Sequence, residues 1–83
     1  MAVSFVRMPP STKKLGDEAT RLVDLYLVAQ LPEEDLIEAI NAWKENVPTL
    51  LIKDSGKGPT ISPTLVRYIG KKRSNVLATL LFR

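Results

Sequence analysis

The side chains that most often do chemistry are scarce in this chain. It has no histidine and no cysteine, which removes the commonest general base, the thiolate nucleophile and most metal-ligand sets. Among the carboxylates, Glu33-Glu34-Asp35 form a run directly after Pro32. Negative charge at a helix start complements the helix dipole, and this accounts for all three. The hydroxyl residues have no evident base beside them. Gly56-Lys57-Gly58-Pro59-Thr60 has a passing likeness to a phosphate loop. Such a loop needs G-x-x-x-x-G-K-[ST] between a strand and a helix. Here the first glycine is missing and no Ser or Thr directly follows Lys57, so the segment reads as a mobile turn. The expectation is a protein that is not an enzyme, with no cofactor, no metal and no small-molecule substrate.

What remains is cationic. Residues 1–52 hold five bases against eight acids, a net −3, while residues 53–83 hold seven bases against Asp54 alone, a net +6. The positive end can meet nucleic acid, an acidic protein or this chain's own negative half. Its densest part is Lys71-Lys72-Arg73, inside the most apolar helical pattern of the chain, residues 62–82. Ser62 can cap that helix and Pro63 suits its first position. At about 100° per residue, Leu65, Val66, Ile69, Val76, Leu77, Leu80 and Leu81 share one broad face. Arg67 and Lys71 lie opposite, Lys72 sits at the edge, and Arg73 falls in the middle of the apolar arc.

These placements set the functional expectation. Arg67, Lys71 and Lys72, with Tyr68 beside them, can contact the phosphates of a nucleic acid. The alternative is a protein-interaction or regulatory module that dimerises through the apolar end of the last helix, at Leu81 and Phe82. Against this alternative stands a tail folded back on its own monomer, with Leu80 and Leu81 closing the core and Phe82 alone outside.

Arg73 sharpens the reading. A charge is not buried unpaired without a penalty of several kcal/mol. Its guanidinium therefore reaches water, pairs with a hairpin carboxylate for which Glu33 is the first choice, or turns outward because the helix breaks at Gly70. A break would set Lys71-Lys72-Arg73 at the start of a helix-turn-helix recognition helix. Glycine costs only about 1 kcal/mol in a helix, and the apolar phase continues across Gly70. The pattern thus predicts an unbroken helix, with Arg73 more buried than Lys71.

The elements that position these residues are mostly helical. Ser11 or Thr12 can cap a first helix over 12–30, with Leu15, Ala19, Leu22, Val23, Tyr26 and Ala29 on one face and Asp17, Thr20, Arg21 and Asp24 facing away. Gly16 suggests a start just after it. Pro32 opens a second helix over 32–46, with Leu36, Ile40, Trp43 and Val47 inward, ended by Asn46 and Pro48. The short connection makes these two an antiparallel hairpin. Residues 3–7 alternate as a short strand would, with 50–52 or 60–61 as its partner. An ordered arm tucking Phe5 onto the helices fits equally well. Residues 49–53 read as a strand or an irregular turn. The fold class is mostly α, a helical hairpin packed on a longer C-terminal helix, as one domain over residues 1–83. With about 45% hydrophobic residues the chain has the composition of a folded protein. No apolar run reaches the roughly 20 residues of a membrane span. The first ten residues lack a signal-peptide pattern, so the expected location is the cytoplasm, with no membrane contact.

Leu22-Val23-Asp24-Leu25-Tyr26, Pro32-Glu33-Glu34-Asp35-Leu36-Ile37, Glu45-Asn46, Lys53-Asp54 and Ile69-Gly70-Lys71-Lys72-Arg73, in this order and spacing, resemble a family of short uncharacterised proteins from Gram-positive bacteria. The resemblance covers roughly residues 15–81 and departs from the family at Gly56-Lys57-Gly58-Pro59 and in the apolar tail. It implies a helical fold and no activity.

Overall fold

A computed structural model describes residues 5–82, and of Ser55 the backbone alone. The first helix, α1, spans Thr12–Leu27. Its start follows from Ser11, whose hydroxyl accepts from the Lys14 N–H at 3.2 Å. Gly16 lies inside it rather than before it. The end comes three residues earlier than the periodicity suggests, because Ala29 adopts a left-handed φ of 60°. The Gln30 N–H then reaches the Leu25 carbonyl and the Ala29 N–H that of Tyr26, the paired bonds that close a helix C-terminus.

Helix α2 spans Glu33–Asn46, with Glu33, Glu34 and Asp35 in its first turn and the Pro32 carbonyl accepting from Asp35 and Leu36. Pro48 ends it by opening the single turn α3, Pro48–Leu51. Strand β1, Ile52–Ser55, then pairs antiparallel with β2, Gly58–Ile61. Ile52 faces Ile61 in this register, so the two segments considered as partners for an N-terminal strand pair with each other. Of the phosphate-loop-like segment, Gly56 and Lys57 form the turn of this hairpin and Gly58, Pro59 and Thr60 already belong to β2, so Lys57 leads into a strand rather than directly into a helix. Gly58 takes a φ of 115° there, open to a residue without Cβ.

The N-terminal segment is an arm. Residues 3 and 4 lie outside the described residues, and residues 5–7 pair with no strand. The backbone groups that a strand would have paired are taken by side chains instead. The Val6 N–H donates to Glu18 at 3.0 Å, Trp43 Nε1 donates to the Val6 carbonyl at 2.7 Å, and Asn46 donates to the Arg7 carbonyl at 3.3 Å. Phe5 meets Trp43 edge to face, with ring centroids 6.2 Å apart. Burial pushes the Glu18 carboxyl up, but its bonds to Arg21 and to the Val6 N–H, with the charges of Arg21 and Lys14, hold it below its ordinary value.

Helix α4 spans Pro63–Leu81 and packs chiefly on α1. Ser62 does not cap it through its side chain; its N–H donates to the Leu51 carbonyl, joining the end of α3 to the start of α4 across the base of the hairpin. The expected unbroken helix is corrected at Gly70, whose φ of 86° and ψ of 164° lie outside helical geometry. Residues 63–69 and 71–81 are two helical segments joined through that one residue. The core is shared by all helices: Leu15, Leu22, Val23, Leu36, Ile40, Trp43, Leu51, Leu65, Ile69 and Leu77 are fully buried. Tyr26 and Val76, expected there, are half-buried at its border.

Candidate nucleic-acid interface

The break at Gly70 decides which cations of α4 are available. Arg73 reaches across to α1, with its side chain still 37% exposed. Its Nε donates to Asp24 Oδ1 at 2.8 Å and one terminal nitrogen to Oδ2 at 3.1 Å. The other terminal nitrogen donates to the Ile69 carbonyl at 3.1 Å. A helix break leaves carbonyls short of intrahelical partners, and the Arg73 side chain supplies one across the kink. The Arg73 hydrogen bonds hold the Asp24 carboxyl below its ordinary value against a partial desolvation, with the charges of Arg73 and Lys72 adding to the effect. Asp24 in turn raises the Arg73 guanidinium.

Arg73 is more buried than Lys71, as its place on the apolar arc suggests. Its partner differs from the expected one. Glu33 is occupied elsewhere, accepting from the Tyr26 hydroxyl at 3.4 Å. Asp24, on the outward face of α1, takes its place because the contacts of the two helices advance together. Gly16 lies by Tyr68 and Ile69, and Asp24 lies by Arg73. Nothing in the spacing of one helix shows which carboxylate of another it will meet.

Arg67, Lys71 and Lys72 are exposed, and among the described residues none of them joins an ion pair. Arg67 lies before the kink and Lys71 and Lys72 directly after it, and these three make up the exposed cationic strip of the α4 sequence. Tyr68, 54% exposed, stands among them. Thr64, Arg67 and Tyr68 line an open depression of about 230 Å³. The tail residues separate from this strip: Leu80 is buried, Leu81 is half-buried against the core and Phe82 is exposed. Phe82 borders a groove with Pro59, Ile61, Val66 and Ala78. Sequence reasoning missed Glu18 and Asp24 as the carboxylates that anchor the arm and the kink. Glu18 carried one local signal, Arg21 three residues on, now its partner at 2.9 Å.

Among the described residues no group of three or more His, Cys, Asp or Glu could hold a metal ion, and no helix is long and apolar enough to cross a membrane. Fold and surface thus define a small mostly helical protein with a short β-hairpin and a cationic strip beside an anchored kink. The chain belongs to a family described as "conserved hypothetical protein", whose sequence model matches residues 7–81. That span includes the end of the arm as well as every helix. No curated protein and no solved structure matches the chain.

Proposed function

We propose that the protein is a small non-enzymatic module that binds nucleic acid through Arg67, Lys71 and Lys72, in the cytoplasm of a Gram-positive bacterium. The observation that carries the reading is a division of labour among neighbouring cations. Arg73 is held by Asp24, while Arg67, Lys71 and Lys72 stay exposed and outside every ion pair of the described residues. Each phosphate neutralised releases counterions, so binding weakens with salt by a log–log slope of about −0.9 per contact on duplex DNA. Three contacts give a slope of about −2.7. Titrating labelled DNA and RNA at low and moderate salt tests this. Changing Arg67, Lys71 and Lys72 together to alanine should abolish binding; absence of binding at low salt, or a triple variant that binds as well as the parent, refutes it.

A second reading, a protein-interaction or regulatory module, is favoured by the exposed Phe82 beside its groove. Light scattering across concentration tests it, with a dimer expected to weaken in Phe82→Ser. Leu81→Ser is less clean, since Leu81 also packs against the core.

A further inference from the structure

We propose that the cationic strip takes single-stranded nucleic acid, with Tyr68 as the platform on which a base stacks. This deepens the reading above and rests on it. Tyr68 is a large ring that the protein itself leaves unused: it is 54% exposed, and no described residue shares a hydrogen bond with its hydroxyl. Its root is nevertheless fixed. A Cβ placed on Gly16 would come within 2.9 Å of Tyr68 Cβ and 3.4 Å of its Cγ. The stem therefore lies directly on the α1 backbone, and only glycine at position 16 leaves room for it. An aromatic ring held at its base, open at its outer part and lining one depression with Arg67 combines the two parts of a single-strand site. One is a face for stacking and the other a neighbouring cation for the phosphate.

Duplex DNA fits these residues poorly. Its base faces are stacked inside the helix, where Tyr68 gains nothing from them. A helix-turn-helix reader joins its helices by a turn of about 3–4 residues, whereas the halves of α4 meet through Gly70 alone. Beyond Lys72 the second half offers little to a groove. Arg73 is engaged by Asp24, and Ser74 is buried and donates to the Lys71 carbonyl. Asn75 and Thr79 border a depression that also contains Glu33, whose charge repels phosphate.

The test uses the full chain with labelled oligo(dT), oligo(U) and a duplex of equal length at one low salt concentration. The expected result is tighter binding of a single strand than of the duplex. Tyr68→Ala and Tyr68→Leu should weaken single-strand binding by about 5- to 150-fold and leave duplex binding unchanged, with Tyr68→Phe restoring the parent affinity. Leucine keeps an apolar stem over Gly16, so a folded Tyr68→Leu, checked by circular dichroism, keeps the test decisive should the alanine variant unfold. Preference for either single strand supports the inference and identifies the ligand as DNA or RNA. Equal binding by parent and Tyr68→Leu, or preference for the duplex, overturns the stacking platform. If the Arg67, Lys71 and Lys72 variant still fails to bind any probe in that case, the cationic strip stands without it. Absence of binding by the parent to every probe overturns both.

Discussion

Replacing Gly70 by alanine separates a kinked α4 from a straight one by the sign of its effect. At φ 86° and ψ 164° the residue occupies a region essentially reserved for glycine, where another residue costs about 1–3 kcal/mol. Beyond its chain neighbours and the backbone of its own helix no atom lies within 4 Å of an added Cβ, so this cost is one of local backbone. The chain has one escape, which is to straighten α4 and gain the roughly 1 kcal/mol by which alanine exceeds glycine in a helix. Straightening moves one half of α4 off the core. Leu65 and Ile69 sit on the first half and Leu77 and Leu80 on the second, all buried. Exposing two such side chains costs about 3–6 kcal/mol, and the bonds from Arg73 to Ile69 and Asp24 are lost as well. Staying kinked is cheaper, so Gly70→Ala should destabilise by about 1–3 kcal/mol. For a domain of this size the melting temperature should fall by roughly 4–8 °C per kcal/mol. Urea unfolding followed by Trp43 fluorescence gives the same quantity as a shift in midpoint at constant slope. A midpoint that rises, by the roughly 1 kcal/mol expected of alanine in an unbroken helix, refutes the kink and the placement of Arg73 with it.

Ala29→Gly should do the opposite. Ala29 holds a left-handed φ of 60° at the end of α1, a conformation costing an L-residue about 1–2 kcal/mol. Relieving it, less the added freedom of glycine in the unfolded chain, should stabilise by about 0.5–1 kcal/mol; an unchanged or lower urea midpoint contradicts this. Acid should weaken the fold through Asp24 and Glu18, both held below their ordinary values. A carboxylate with a lowered folded-state pKa contributes fully above its unfolded value, near 4. That contribution disappears as pH falls through the folded value, because the unfolded chain then binds more protons. Urea midpoints measured from neutral to strongly acidic pH should therefore fall, and Asp24→Asn and Glu18→Gln should each flatten the curve while lowering its neutral end. An Asp24→Asn curve that superimposes on the parent shows that the Arg73 contact contributes nothing.

The elements legible in the sequence are those whose signals lie within a few residues. The Ser11 cap, the acidic first turn after Pro32, the stop at Pro48 and the apolar spacing through Leu22, Ile40, Trp43 and Leu65 are local. They placed the helices and most of the core, and the helical wheel set Arg67 and Lys71 opposite the apolar face with Lys72 at its edge. The presence of a turn within residues 54–59 was equally plain, although only Gly56 and Lys57 form it and the rest belongs to the strands. The flanking strands, four residues each, are too short to show a period, and their pairing depended on Ile52 and Ile61 meeting across the turn. The remaining features were decided by contacts between distant residues. Alanine at position 29 carries no visible stop signal, yet it ends α1. Val6 finds its partners in Glu18 and Trp43 because α1 and α2 flank the arm, which leaves no place for a strand. At Gly70 the local terms nearly cancel: a glycine disfavours a helix by only about 1 kcal/mol, and the apolar phase favours continuing it. What settles the balance is the packing of both halves of α4 on α1, with Arg73 bridging Ile69 and Asp24 across the bend. Those contacts exist only once the helices have met, and they decide that Arg73 is structural and leave its three neighbours facing solvent.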